Sequence, residues 1–232
     1  MHAIEADGVS QKFGRRKAVD NLSLTIHPGE VVGFIGLNGA GKTTTLRMLS
    51  GYMHPDSGSV QIFGCDTRAR EFPAYTTVGM LPDDGEIRVT ETAWENLMRA
   101  AEHSYVPKRD ALRRGRELLL LLGLSDRADE PVREFSKGMK QRLAIAMGVI
   151  NYPLLLVLDE PTSGLDVESV LLIRDVVREF KRRSVTILLT THALEEAETL
   201  CDRVAILHEG RLAAFDTPVS LRERVPYEPV LK

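Results

Sequence analysis

Two hydrophobic rhythms divide the chain. The run VVGFIG at residues 31–36 is apolar nearly throughout, as a strand covered on both faces must be. LLLVLD at 154–159 and SVTILLTT at 184–191 have the same character. Residues 3–9 and 22–27 predict two further strands, set off by polar turns and the Pro28-Gly29 breaker. Elsewhere the apolar residues fall at helical spacing. Residues 42 to about 50 predict a helix that stops at Gly51. Residues 167–182 predict another, with Val170, Ile173, Val177 and Phe180 on one stripe. A helix at 193–201, a strand at 203–208, the Glu209-Gly210 turn and a strand at 211–216 complete the last third. Strands alternating with helices imply a mostly parallel sheet with helices on both faces.

Residues 85–150 interrupt that alternation with helices alone. Thr92 and Glu95 have capping-box spacing, so a helix is expected from there to about residue 105, ended by Pro107. A second helix spans 108–122, with Leu112, Gly115, Leu119 and Leu122 sharing one face and Lys108, Arg109, Arg113, Arg114 and Arg116 mostly off it. That basic cluster reads as a solvated helix face. A third helix runs from near Ser136 to about Ile150.

Composition narrows the classes. The 232 residues are 43% apolar and 27% charged, which is ordinary for a folded globular chain. Thirty Lys and Arg oppose 33 Asp and Glu, and the net charge of −3 recommends neither nucleic acid nor an anionic membrane as a partner. No apolar run approaches the ~18 residues of a membrane span. The opening MHAIEADGVS does not read as a secretory leader. Cys65 and Cys201 are too few for a disulfide framework and lack metal-site spacing.

The sharpest chemical signal is GLNGAGKTT at 36–44. It fits G-x-x-x-x-G-K-[ST] and lies between an expected strand and an expected helix, the context that this motif requires. Glycines let the backbone wrap around phosphates with its N–H groups pointing inward, and the helix dipole adds positive potential. Lys42 is placed to reach the β- and γ-phosphates, and the Thr43 hydroxyl to ligate Mg²⁺. Asp159 and Glu160 follow the strand at 154–159, where carboxylates face the ligand crevice of an open α/β sheet. Asp159 suits Mg²⁺ held through its water shell, and Glu160 a general base acting on water.

With these motifs in view, the chain resembles, along essentially its whole length, the ATP-binding subunits of ATP-binding cassette (ABC) transporters. The order of motifs carries the resemblance: the phosphate loop at 36–44, FSKGMKQR at 135–142 in the signature position, LLLVLDEPTSGLD at 154–166, and His192 after the strand ending Thr190-Thr191. It implies an α/β P-loop NTPase core with a mostly parallel sheet flanked by helices, an N-terminal antiparallel β subdomain, and an inserted helical subdomain. The chain is then one ATP-binding domain over 1–232, with residues 1–84 and 151–232 as core and 85–150 as the signature subdomain.

The resemblance also implies roles for residues. Gly36, Asn38, Gly39, Ala40, Gly41, Lys42, Thr43 and Thr44 would cradle ATP, and Phe13 would stack on its adenine. Thr43 and Asp159 would hold Mg²⁺, with Glu160 and His192 as catalytic groups. Ser136 and Gly138 would meet the nucleotide from a second copy in a head-to-tail homodimer or heterodimer, and Asp166 would also contact the nucleotide. Two departures stand out. The signature keeps Ser136 and Gly138 but reads FSKGM where the family has LSGGQ, similar to an exporter branch. Asp83, followed by Asp84, stands where a glutamine is usual, and is expected to touch ATP or Mg²⁺. The implied activity is ATP hydrolysis driving translocation, with export favoured, through integral membrane permease subunits at the cytoplasmic face of the cell membrane.

Rival readings fare worse. A signalling GTPase needs an N-K-x-D motif, and none occurs. A small-molecule kinase has no use for FSKGM and SGLD. The best rival is a non-transport cassette ATPase of DNA repair or translation, but these carry long coiled-coil or zinc inserts, or two cassettes, and the sequence has neither.

Overall fold

The computed structural model describes residues 1–81 and 87–223. Its first strands are β1 (Ile4–Phe13), β2 (Arg16–Ile26) and β3 (Val31–Ile35), followed by helix α1 (Lys42–Leu49). Next come β4 (Ser57–Ile62), β5 (Cys65–Asp66), the single turn α2 (Ala74–Thr77) and β6 (Val78–Met80). Three helices follow: α3 (Ala93–His103), α4 (Lys108–Leu121) and α5 (Lys137–Val149). The last third alternates as β7 (Leu155–Leu158), α6 (Val167–Arg182), β8 (Thr186–Thr191), α7 (Leu194–Leu200), β9 (Arg203–His208), β10 (Arg211–Asp216) and α8 (Pro218–Glu223). Among the described residues no helix is long and apolar enough to cross a membrane.

Two sheets form. The first is antiparallel in the order β2-β1-β4-β5, and the second has the order β10-β9-β3-β8-β7-β6. In the second, β9, β3, β8, β7 and β6 run parallel, and only β10 is antiparallel. Period-two alternation gives its central strands two buried faces. Val32, Phe34, Leu155, Val157 and Leu188 join a core shared with α1 and the antiparallel sheet. Val31, Leu156, Leu158, Ile187 and Leu189 join the opposite core, with α3 to α7. This is why VVGFIG and LLLVLD are apolar at successive positions rather than at alternate ones.

Most elements fall where the pattern predicts, and the departures have local causes. β2 begins at Arg16, six residues before the expected start, because β1 runs on to Phe13 and the pair closes as a hairpin, Phe13 opposite Arg16. The sequence reading has no counterpart of β4, β5 or α8. β4 opens Ser-Gly-Ser, and Gly58 has φ +85 against the backbone of Asp7 and Gly8, so the strand starts on a kink that masks its periodicity. On α4 the buried stripe is Ala111, Gly115, Leu118 and Leu119, and Leu112 is exposed. Tight packing at Gly115 sets that rotation, since Trp94 and Met98 press against its Cα. The capping box at α3 closes reciprocally: Glu95 N–H donates to Thr92 Oγ1 at 3.1 Å and Thr92 N–H to Glu95 Oε2 at 2.8 Å. Cys65 is exposed, whereas Cys201 is buried against Gly33 and burial pushes its thiol up to about 12.

α5 sits on the edge strand β6 through glycine on both sides. A Cβ on Gly79 would overlap the Gly148 carbonyl, and one on Gly148 would stand 2.8 Å from the Met80 oxygen. That contact fixes how α5, and with it Ser136 at the helix start, lies against the sheet. Gly79→Ala should therefore force the two backbones apart and lower the unfolding free energy by about 1–3 kcal/mol. Urea unfolding should show a lower midpoint at an unchanged slope.

Candidate nucleotide-binding and hydrolysis site

Strand order assembles the site. β8 lies between β3 and β7, so the segments leaving all three strands are neighbours at one end of the sheet. Register completes the arrangement: Ile35 pairs with Thr191, and Leu158 with Leu189, so Thr190 and Thr191 extend past the end of β7 toward Asp159 and Glu160. Ligands bind at this end of open parallel sheets.

The phosphate loop leaves β3 and enters α1. Gly41 has φ +100 and packs so closely on the Ala18 carbonyl that a Cβ would overlap it. Ala18 lies on β2, so the antiparallel sheet braces the loop. Ala40 is held from the other side, its carbonyl accepting Gly210 N–H at 3.1 Å. Lys42 is only 7% exposed and curls back into the loop, donating to the Gly36 carbonyl at 2.9 Å. Gly39, Thr44, Asn38 and Phe13 share with Lys42 and Thr43 a cavity of about 330 Å³ that also reaches Glu160. Phe13 is 53% exposed at the tip of the β1–β2 hairpin, an apolar ring on the rim of that cavity.

Thr43 and Asp159 are brought together: the hydroxyl donates to Asp159 Oδ2 at 2.7 Å. A neutral and an anionic hard oxygen side by side suit Mg²⁺, which takes one or two protein oxygens and fills its shell with phosphate and water. Among the described residues no three His, Cys, Asp or Glu groups could cage a metal. The donor set thus fits a cation shared with a nucleotide.

Thr190 is fully buried and holds both carboxylate residues. Its hydroxyl donates to Asp159 Oδ1 and accepts Glu160 N–H at 2.8 Å. Glu160 needs the help, because its φ of +44 is a left-handed backbone that non-glycine residues rarely adopt. His192 is exposed, with Nδ1 3.9 Å from Glu160 Oε2, beyond a direct hydrogen bond. A second cavity, of about 750 Å³, joins Gly36, Asn38, Glu160 and His192.

Ser136 lies in a separate cleft with Asp166 and Ser169, and Gly138 packs against both of the latter. Ser136 caps α5, accepting Met139 N–H at 3.2 Å. Gly138 is required by its own chain: a Cβ there would collide with Ser169 Oγ. Asp166 caps α6, accepting Ser169 N–H at 2.9 Å and Ser169 Oγ–H at 3.0 Å, and these bonds hold its carboxyl below the usual range. Within one copy, therefore, the expected residues form two groups, with Ser136, Gly138 and Asp166 away from the phosphate loop. Asp83 and Asp84 lie outside the described residues.

Known proteins bear on this geometry directly. A family profile described as "ABC transporter" matches residues 19–163. The chain belongs to that family. The Nod factor export ATP-binding protein I of Burkholderia lata is 40% identical over 220 residues, covering 95% of this chain and 72% of that protein. The bacitracin transport ATP-binding protein of Bacillus licheniformis is 39% identical over 210 residues, covering 90% and 68%. A solved structure of an ATP-binding subunit of an ABC transporter superposes with a TM-score of 0.86 at 31% identity, covering 96% of this chain and 92% of that one. This ABC protein is accordingly an ATP-binding and ATP-hydrolysing subunit of a membrane transporter.

Sequence reasoning missed Thr190. The signal was a pair of threonines ending a strand that is otherwise apolar and buried, directly before His192. Thr190→Val keeps the shape but removes both hydrogen bonds, leaving a buried backbone N–H unpaired. It should lower unfolding free energy by about 1–3 kcal/mol and ATP turnover by about tenfold or more. Urea melts and a phosphate-release assay on the same preparation measure both.

Proposed function

We propose that Glu160 is the general base of ATP hydrolysis and that two copies of the chain close head to tail around the nucleotide. The observation that carries this reading is the shared cavity in which Glu160 faces Lys42 and Thr43 of the phosphate loop. The loop's N–H groups and Lys42 hold the phosphates, and Phe13 stacks on the base. Glu160 takes a proton from water as the water oxygen attacks the γ-phosphorus. The bond to the β-phosphate oxygen breaks, and ADP and phosphate leave. His192, beside Glu160, orders the water and the γ-phosphate. Thr43 and Asp159 would hold Mg²⁺, which when bound would supply charge neutralisation for the phosphate oxygens.

Ser136 and Gly138 supply the second copy's contribution, from the start of α5, whose dipole favours an anion. The cleft lined by Ser136 shares no residue with the two cavities at its own phosphate loop, which supports this division of labour. Residues 85–150 then act as the signature subdomain, and residues 1–84 and 151–232 as the nucleotide-binding core. ATP holds the two copies together, and its hydrolysis releases them, a two-state change that separate permease subunits convert into transport. Export is the direction that the name of the Nod factor relative favours. The chain works at the cytoplasmic face of the membrane without contacting nucleic acid.

Glu160→Gln should keep ATP binding, cut turnover by about 10²–10⁴-fold and accumulate an ATP-bound dimer on a sizing column. Turnover equal to wild type would remove Glu160 from the base role. Lys42→Ala loses a charge-assisted contact worth about 1.5–3 kcal/mol, so calorimetry should show ATP affinity down by roughly tenfold or more at fixed Mg²⁺. An unchanged affinity would contradict the phosphate-loop assignment.

A further inference from the structure

Glu196 is a carboxylate where a helix should be apolar. It lies on α7 beside the buried Ala197 and one turn before the buried Leu200, and is itself only 2% exposed. Among the described residues it forms no ion pair. Its partners are hydroxyls. Thr162 Oγ1 lies 2.8 Å from one carboxylate oxygen and 3.0 Å from the other, sharing its single proton between them. Thr191 Oγ1 donates at 2.7 Å and accepts Ala193 N–H at 3.0 Å.

The two threonines belong to different segments, Thr162 to the stretch after β7 and Thr191 to the end of β8. Thr162 sits two residues after Glu160, and Thr191 immediately before His192. Burying a carboxylate costs several kcal/mol unless hydrogen bonds compensate, and a helix position facing the core is more cheaply filled by leucine. The geometry points to Glu196 as a positioning residue for hydrolysis: it clamps the loop that leaves Glu160 to the loop that carries His192. It touches neither the nucleotide nor the water. It sets the separation of the two groups that do, adding to the grip of Thr190 on the Glu160 backbone. This inference rests on the roles of Glu160 and His192 proposed above.

The test compares Glu196→Ala, Glu196→Gln and the double variant Thr162→Val/Thr191→Val in the full chain, with Glu160→Gln and His192→Ala alongside. Turnover and nucleotide affinity are measured well below each melting temperature. Glu196→Ala should lower kcat about 10- to 100-fold while ATP affinity stays within about twofold. Glu196→Gln, whose amide oxygen still accepts one hydroxyl, should recover part of the loss. The threonine pair, which keeps the α7 sequence but also frees Ala193 N–H at its start, should reproduce the loss and stands in if Glu196→Ala does not fold. Because the clamp acts through His192, Glu196→Ala should cost less than about twofold more in a His192→Ala background. Wild-type kcat in Glu196→Ala, whatever its melting temperature, overturns the proposal. So do losses that simply multiply with those of His192→Ala. Wild-type turnover in Glu160→Gln overturns instead the assignment on which the proposal rests.

Discussion

The position of β8 between β3 and β7 is the constraint on which the site depends. Parallel strands share a direction, so their C-terminal ends emerge on one edge of the sheet, and neighbours in the sheet become neighbours at that edge. The phosphate loop leaves β3, the carboxylates leave β7, and β8 lies between the two. A side chain at the end of β8 can therefore reach what the β7 side presents, and Thr190 does so with one hydroxyl, satisfying Asp159 and Glu160 together. Had β8 not lain beside β7, the carboxylates would face the loop with no buried donor to orient them. The left-handed backbone of Glu160 would also lack its hydrogen bond.

That arrangement demands a rigid sheet, which explains the distribution of apolar residues. Both faces of β3, β7 and β8 are sealed, one by α1 and the antiparallel sheet, the other by α3 to α7. Polar groups gather at the strand ends, where the apolar runs stop at Asp159 and Thr190. The antiparallel sheet has a second task besides covering a face. Its Ala18 carbonyl backs Gly41, its Asp20 pairs with Arg211 at 2.8 Å, and its hairpin tip carries Phe13 to the cavity rim.

Much of this was legible before any coordinates, and the limits were physical. The buried strands and amphipathic helices announced themselves because two-sided burial and helical stripes leave strong periodic signals. Phosphate-loop chemistry was readable because it is local: Gly41, Lys42 and Thr43 act from one short segment. β4 and β5 were silent because a two-residue strand and a strand opening on a glycine kink have no period to detect. Thr190 and Glu196 were silent for another reason. Their work is done across loops that are distant in sequence, and a threonine or a glutamate on a helix looks ordinary until the partner hydroxyls or carboxylates are placed. Gly138 carried a reading that the structure enlarges. Its missing Cβ makes room for Ser169 of its own chain, so the residue is required even before a second copy arrives.

The segment 160–166 joins these threads. At its start Glu160 is pinned to Thr190, and at Thr162 it is tied to Glu196. Further on, the Ser163 carbonyl accepts the Lys137 ammonium at 2.9 Å, and Asp166 closes the segment by capping α6 through Ser169, against which Gly138 packs. One short stretch therefore links Glu160, the proposed general base, to the start of α5, the surface that the proposed head-to-tail pair offers to the other copy's nucleotide. Lys137 stands where a small glycine is usual, and its charge converts a steric neighbour into a bonded one. A displacement of Lys137 by a second copy would pull on Ser163, and through it on the backbone leading to Glu160. Because Glu160 sits in a strained backbone whose N–H is held by one hydroxyl, small forces on that segment have a defined place to act. In the proposed pair, bonds within a single chain would couple its formation to readiness for hydrolysis.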